Sequence, residues 1–418
     1  MDLFYSQYFK INKLALTVYG LWPYQSEIGR IINHVIFAVT SFSMIFAMNV
    51  YFTIQKAAGI QSQINAELKN ILETVVALVF CGAGLVKCMI LYNQRNQIKK
   101  LYERIAADWE KLTDTSERDI LRAFLLEGRH SIVITIVYAV PAFCLFICVE
   151  FLPRIFSKES AKHRLHSFPY YYKSMVISEN TYDLQVCVHL MVVIIYVGFS
   201  YLCASATYIS SVKHVCAFQR LRNAIVYRKD SRPLKELIED TSVIPNLIKV
   251  IEMHKEALST FNDFYLSYRG IQIIEQVFSA GFFVFEISAL TTIAILIFDL
   301  NYHQGNPFQM MRVLLILSVF VLYLFFMNWC GEQTIQSCNN VNAQAYNIEW
   351  YGISLKARVF VLMILRRTLK PIHLTAGTIM ILSMENFATI LKTAWSFGMI
   401  LLTTQTSVRN KDPIFFGY

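Results

Sequence analysis

Charge is what this sequence has least of. Only 16% of its 418 residues are Asp, Glu, Lys or Arg, while 55% are apolar and 14% are aromatic. A soluble globular domain carries roughly a quarter charged residues, so the balance excludes that class and points to the membrane. Catalytic and cofactor signatures are missing as well. There is no CxxC, HExxH, Walker or Rossmann pattern, and no nucleophile, base and stabiliser fall together. No enzyme activity, metal or cofactor is expected. The nine cysteines do not make a disulfide framework: Cys81, Cys88, Cys144, Cys148, Cys187 and Cys203 fall in apolar runs, Cys216, Cys330 and Cys338 in loops or at helix ends. None lies in the long loop from Pro153 to Tyr182, and only a Cys148–Cys187 pair stays open. The N-terminus lacks the basic start, compact apolar core and cleavage site of a signal peptide, so the first membrane helix is expected to act as its own insertion signal.

What is present is a series of long apolar runs. A span needs about 20 mostly apolar residues. Seven segments qualify: Ile31–Ile54, Ile71–Tyr92, Ser131–Leu152, Leu184–Val212, Ile271–Phe298, Val313–Gly331 and roughly Leu374–Leu402. Pro141 is expected to kink the third. Glu73 and Lys87 lie near the ends of the second, where long side chains reach the interface. Glu286 is the charge nearest the middle of a span, and a hydrogen-bonded or protonated glutamate inside the bundle is the favoured reading. His189 reads as a satisfied bundle histidine.

The net charge of +9 forms no basic domain, so it reports topology and not nucleic acid. On the side of the N-terminus, Lys and Arg number three before the first span, eight in Asn93–His130, ten in Lys213–Arg269 and five in Glu332–His373. The other side carries two in Gln55–Asn70, five in Pro153–Asp183, one in Asp299–Arg312 and two after Leu402. An excess of 26 over 10 places the N-terminus in the cytoplasm and the C-terminus outside, inverted relative to a G-protein-coupled receptor. The cytoplasmic segments look helical. Ile98, Leu101 and Ile105 share one face of Asn96–Ala107, and Leu234–Leu266 repeats the pattern with Pro245 as an expected interruption.

After the sixth span come "GEQ" at Gly331–Gln333, Ala345-Tyr346, Trp350, an apolar run Val359–Leu365 too short to cross a bilayer, and Arg366-Arg367. "LKPIHLTAG" (Leu369–Gly377) and "FATILKTAWSFGMILL" (Phe387–Leu402) follow. Pro371 and Gly377 should break the chain before the last helix. In this order these motifs resemble the C-terminal fifth of insect odorant receptors, and the seven spans and inverted topology are similar over the whole length. Trp395-Ser396-Phe397 stands where Tyr-Ser-Tyr is commoner in that family. The short Lys213–Arg269 segment resembles a ligand-tuning subunit more than the shared co-receptor, whose second cytoplasmic loop is much longer.

The resemblance implies an all-α membrane protein of seven helices with a cytoplasmic helical anchor. Residues 1–335 would bind ligand, 336–373 would form the anchor, and 374–418 would form the last helix and an extracellular tail. It further implies a subunit of an odorant-gated, non-selective cation channel. Its partners would be the co-receptor in a heterotetramer, a small volatile odorant, lipid and permeating cations, in the plasma membrane of a sensory neuron. Tyr346, Trp350, Phe360 and Leu362 would serve the anchor. A G-protein-coupled or gustatory-type chemoreceptor is the alternative; the charge count opposes the first, and the Thr-Tyr…Gln-like ending of the second is absent.

The last helix and the pocket complete the reading. At 100° per residue Glu385, Thr389, Lys392, Ser396, Met399 and Thr403 form one polar stripe on an apolar helix, with Ile400 on its flank. The stripe suits a water-lined pore; alternatively Glu385 and Lys392 pair or snorkel within one subunit. The resemblance favours the pore, lined by Lys392, Ser396, Ile400 and Thr403, with Ile400, Thr403 and Thr404 at the family's gate positions. It also implies an odorant pocket in the outer half of the bundle. Phe80, Tyr138, Met191, Ile195, Phe320 and Tyr323 lie at that depth. No charged group is evident beside them, so a neutral, mostly apolar volatile is the expected ligand.

Overall fold

The computed structural model describes residues 9–33, 35–36, 38–40, 43, 64–111, 115–156, 198–217, 219, 243–302, 307–347, 359, 362, 365–366 and 373–411. Within them the chain is almost wholly helical. In chain order the elements are α1 (Lys10–Val18), α2 (Ile64–Asn93), α3 (Arg95–Lys111), α4 (Thr115–Phe156) and α5 (residues 198–217). There follow α6 (Val243–Tyr302), α7 (Pro307–Asn347), a hairpin of β1 (Thr375–Ala376) and β2 (Met380–Ile381), and α8 (Met384–Lys411).

Among the described residues four stretches are long and apolar enough to cross a membrane: Arg118–Ala142, Arg269–Asn301, Gln309–Asn340 and Met384–Thr404, with a shorter apolar stretch at Leu78–Asn93. They carry large apolar side chains on their outer surfaces, among them Val137 (64% exposed), Ile134, Val140 and Leu314. In water such a surface would be costly. In lipid it is the expected one. The expected first span lies mostly outside the described residues, and the fourth is described only from residue 198.

The helices outrun the bilayer. α6 has 60 residues, about 90 Å at 1.5 Å per residue, against a hydrocarbon core of about 30 Å. Pro245 does not interrupt it, contrary to expectation. The helix starts at Val243, so the proline sits in the first turn, where its missing N–H would have had no partner anyway. Pro307 opens α7 in the same way.

Beyond the apolar stretches, the extensions pack together. Ile98, Leu101 and Ile105 on α3 are buried, as their shared face requires. Tyr102 is buried beside them with Phe9 and Trp22 edge-on to its ring at 6.1 and 5.5 Å, and burial pushes its hydroxyl well above the usual phenol range. Asn12 of α1 donates from Nδ2 to the Ala206 carbonyl at 3.1 Å and to Ser210 Oγ at 2.7 Å, tying the N-terminal helix to α5. Lys213 of α5 pairs with Glu127 of α4, and its ammonium lies 4.6 Å from the Trp329 ring centroid of α7. At the other end, Arg312 and Asp299, both buried, approach at 3.9 Å and connect α6 to α7.

The last helix starts later than the expected boundary at Leu374. Leu374 to Ser383 form a non-helical segment built around the hairpin, in which Thr375 pairs with Ile381 and Ala376 with Met380. Gly377 at φ +62° and Thr378 at φ 62° make the reversal. A side chain at Gly377 would meet the Phe283 ring at 2.7 Å, so the position needs both the left-handed backbone and the missing Cβ. Pro371 lies outside the described residues.

Candidate functional site

Rings from four helices meet in the apolar part of the bundle. Phe80 of α2 stacks on Tyr201 of α5, with centroids 5.1 Å apart and planes 7° apart. Phe320 of α7 meets Phe80 edge-on at 5.5 Å, and Tyr323, one turn further, meets Tyr201 edge-on at 5.4 Å. Phe285 of α6 closes the group against Tyr323 at 4.5 Å and Tyr201 at 5.9 Å. The Tyr201 hydroxyl donates to the Phe80 carbonyl at 3.0 Å. Offset and edge-on pairs of this kind contribute about 0.5–1.5 kcal/mol each beyond their burial. Three of the expected pocket residues, Phe80, Phe320 and Tyr323, are therefore brought together. Tyr138 is 38% exposed on α4, and among the described residues no ring pair joins it to the group. Met191 and Ile195 lie outside the described residues.

The structure adds a residue the sequence reading had placed elsewhere. Lys87 was expected to reach the membrane interface, and no charge was expected beside the pocket. Instead Lys87 is 2% exposed, and its Nζ donates to the Tyr323 hydroxyl. The ammonium lies 4.8 Å from the centroid of Tyr323, 5.1 Å from Tyr201, 5.2 Å from Phe285 and 5.4 Å from Phe282. The physical reason is cation–π attraction. Four ring faces supply negative potential in place of the hydration that would otherwise draw the side chain out to water. One local signal pointed this way: Lys87 is seven residues from Phe80, so both share one helical face.

A second group of polar residues joins the bundle to the last helix. Glu286, 2% exposed, accepts from Asn386 Nδ2 at 2.9 Å and from Asn328 Nδ2 at 3.2 Å. Asn328 Oδ1 accepts from Asn386 Nδ2 at 3.1 Å and from the Ser383 backbone N–H at 3.2 Å. Glu332 Oε2 accepts from the Met384 N–H at 3.3 Å, and Ser383 Oγ accepts from the Asn386 N–H at 3.2 Å. The free N–H groups at the start of α8 are thus met by its own Ser383 and by two side chains of α7, with Glu385 adding charge to the first turn. Glu286 is a hydrogen-bonded bundle glutamate, in agreement with the favoured reading. The Gly-Glu pair of "GEQ" acquires a role too: Gly331 lets the Leu382 carbonyl come into contact, and Glu332 caps α8. The "TAG" of the later motif docks on α6, where Thr375 Oγ1 donates to Glu275 Oε1 at 2.6 Å and the Gly377 N–H donates to the Ser279 carbonyl at 3.0 Å.

α8 packs along one narrow face, chiefly against α6, and leaves most of its circumference open. It packs through Ile390, Ala394 and Gly398, spaced one turn apart, and a Cβ at Gly398 would meet Ile297 at 2.9 Å. In an apolar 18-residue window of Met384–Thr404 only 17% of residues are buried, against 72% in such a window of Arg269–Asn301. Lys392, Ser396, Ile400 (56%), Thr403 and Thr404 are all exposed, and so are Trp395 (60%) and Phe397 (49%). The hydroxyls of Ser396, Thr403 and Thr404 donate to carbonyls of their own helix, at 3.0, 2.9 and 2.8 Å. At the anchor, Tyr346 (67%) and Leu362 (62%) are exposed, while Trp350 and Phe360 lie outside the described residues.

Comparison with known proteins accords with this architecture. Residues 67–395 match the family model described as 7tm Odorant receptor. The chain is similar in fold to the insect olfactory receptor OR5 of Machilis hrabei in complex with eugenol. The TM-score is 0.74 at 11% identity, over 95% of this chain and 97% of that one. It is similar as well to a structure of the same receptor described without eugenol, with a TM-score of 0.69 at 11% identity over 95% and 98%. No curated protein sequence matches the chain.

Proposed function

Because the chain belongs to the 7tm odorant receptor family, we propose that it is a ligand-tuning subunit of an odorant-gated cation channel. Its site would take a small, mostly apolar odorant among the rings of α2, α5, α6 and α7. The observation that carries this reading is the Phe285-Glu286 pair. Phe285 belongs to the ring cluster, and the next residue, Glu286, holds Asn386 of the last helix. One turn of α6 therefore touches both the candidate pocket and the helix assigned to the pore.

The exposed face of α8 supports the second half of the proposal. A helix carrying Lys392, Ser396 and Thr403 has little reason to face lipid alone, and symmetric subunits around a water-filled axis would give those groups a polar environment. Lys392, Ser396, Ile400 and Thr403 line the path in this reading, with Ile400, Thr403 and Thr404 nearest the gate. The complex includes the family's co-receptor, and the exposed Tyr346 and Leu362 meet a neighbouring subunit together with Trp350 and Phe360. In this reading the protein resides in the plasma membrane of a sensory neuron, and the 26 to 10 excess of basic residues supports a cytoplasmic N-terminus.

Patch-clamp recording of the chain with and without co-receptor, G-protein signalling blocked, tests the reading across an odour panel. Odorant-evoked cation current within milliseconds of application is expected. Current that disappears when G-protein signalling is blocked would overturn it.

A further inference from the structure

An apolar ligand has no need of Lys87. The ammonium has three donors, and Tyr323 is its hydrogen-bonding partner; ring faces lie at 4.8–5.4 Å, and the thiols of Cys88 and Cys203 are near. Among the described residues no carboxylate pairs with it. Ring faces stabilise a charge but present no lone pair, and a thiol is only a weak acceptor, so among the described residues the Tyr323 hydroxyl is the one oxygen bonded to an ammonium that can serve three. A methionine would fill the same volume without the cost of burying an ammonium.

Resting on the reading of the ring cluster as the odorant site, we propose that the ligand carries an acceptor oxygen, a carboxylate or a carbonyl, at one end of an apolar body, and that this oxygen bonds Lys87 Nζ. Three features place the ammonium within reach. Lys87 shares a helical face with Phe80, and a long helical side chain leans back towards the N-terminal turn, which brings Nζ up to the level of the rings. Nζ lies 5.1 Å from the ring of Tyr201, the same ring that stacks on Phe80. Its partner Tyr323 is itself an expected pocket residue, so an oxygen entering beside Tyr323 meets both a hydroxyl and an ammonium. A charge-assisted N–H···O bond in this dry setting is about twice as strong as a neutral one. An amine ligand is disfavoured by the same charge, since two cations at short range repel strongly where water is excluded.

The test uses the full chain with its co-receptor in whole-cell recording. The panel holds matched skeletons as carboxylic acids, aldehydes, ketones, alcohols, amines and hydrocarbons. Acids or carbonyl compounds should act at concentrations at least about tenfold below the matched hydrocarbons. Greater potency of acids identifies a carboxylate, and equal or greater potency of aldehydes and ketones a neutral carbonyl. Lys87→Met should lower the ratio of hydrocarbon to oxygenated effective concentrations at least about tenfold, a ratio that a uniform loss of response does not change. Lys87→Arg, labelled at the cell surface to confirm folding, should keep it. If Lys87→Met does not reach the surface, Lys87→Gln, which removes the charge and keeps an N–H, should reduce the advantage of acids over hydrocarbons at least about tenfold. Hydrocarbons as potent as their oxygenated counterparts, or a rank order unchanged in Lys87→Met or Lys87→Gln, would overturn the inference and leave the receptor reading standing. Silence of the wild-type chain to the whole panel would overturn the receptor reading, and this inference with it.

Discussion

Glu286 and Asn386, one hundred residues apart in sequence, are joined by a 2.9 Å hydrogen bond. Glu286 lies on the helix that contributes Phe285 to the ring cluster, and Asn386 lies in the first turns of α8. This bond and the two through Asn328 put the polar side chains of an apolar bundle where they satisfy one another.

Glu286→Leu should destabilise the protein by several kcal/mol. It removes one of the two acceptors of the buried Asn328 amide and of the half-buried Asn386 amide, each of which keeps its other bond, at about 1–3 kcal/mol for each bond lost. Thermal unfolding in detergent, read by intrinsic fluorescence, measures the loss. Asn386→Ala should be milder, and the double variant less than additive, because both act on one network. Additivity would mean that the two side chains are independent.

The glycines of the C-terminal motifs make a sharper comparison. Gly331→Ala forces the added methyl into the Leu382 backbone, and Gly377→Ala adds a clash with Phe283 to a left-handed backbone that costs about 1–2 kcal/mol for other residues. Both should reduce surface expression. Gly82→Ala has open space around the new Cβ and lies within a helix, so it should be neutral or slightly stabilising. Equal expression of all three would remove the packing role assigned to the motif.

Pore lining is testable by chemical access. Cysteines at Ser396, Ile400 and Thr403 should react with water-soluble thiol reagents in the open state, and cysteines at the buried Ile390 and Ala394 should not. Lys392→Glu should raise single-channel conductance or divalent permeability, most at low salt, where the Debye length is about 30 Å. With other subunits contributing to the same pore the changes should be partial. Reaction of the second set in place of the first would rotate α8 away from the axis.

Orientation has its own measurement. An N-terminal epitope tag should stain only in permeabilised cells and a C-terminal tag in intact ones, as the distribution of Lys and Arg demands. Surface staining of the N-terminal tag would invert the topology.

Helix existence and the buried face of α3 were legible because both depend on local periodicity: Ile98, Leu101 and Ile105 point one way whatever surrounds them. The start of α8 was read ten residues early. Leu374, Ala376, Met380 and Ile381 look like the beginning of an apolar run, and their hairpin depends on docking to Ser279 and Glu275, about a hundred positions away. Lys87 was misplaced for a similar reason. Seen along α2 alone it is a lysine near a helix end, and the rings that hold it come from α5, α6 and α7. The partnership of Glu286 with Asn386 was beyond periodicity altogether, although each residue alone was conspicuous in its run.

The attachment of α8 has a mechanical consequence. Its first turn is fixed by Glu286, Asn328 and Glu332 and by a hairpin bonded to α6, whereas residues beyond Gly398 rest on little of their own chain. A tilt about that first turn must therefore slide the Ile390, Ala394 and Gly398 seam along α6. From Met384 to Thr403 the helix runs roughly 28 Å, so a tilt of about 5° displaces Gly398 by roughly 1.8 Å and Thr403 by roughly 2.5 Å. That displacement is on the order of a water molecule's diameter, delivered at the end of the helix where Ile400, Thr403 and Thr404 stand.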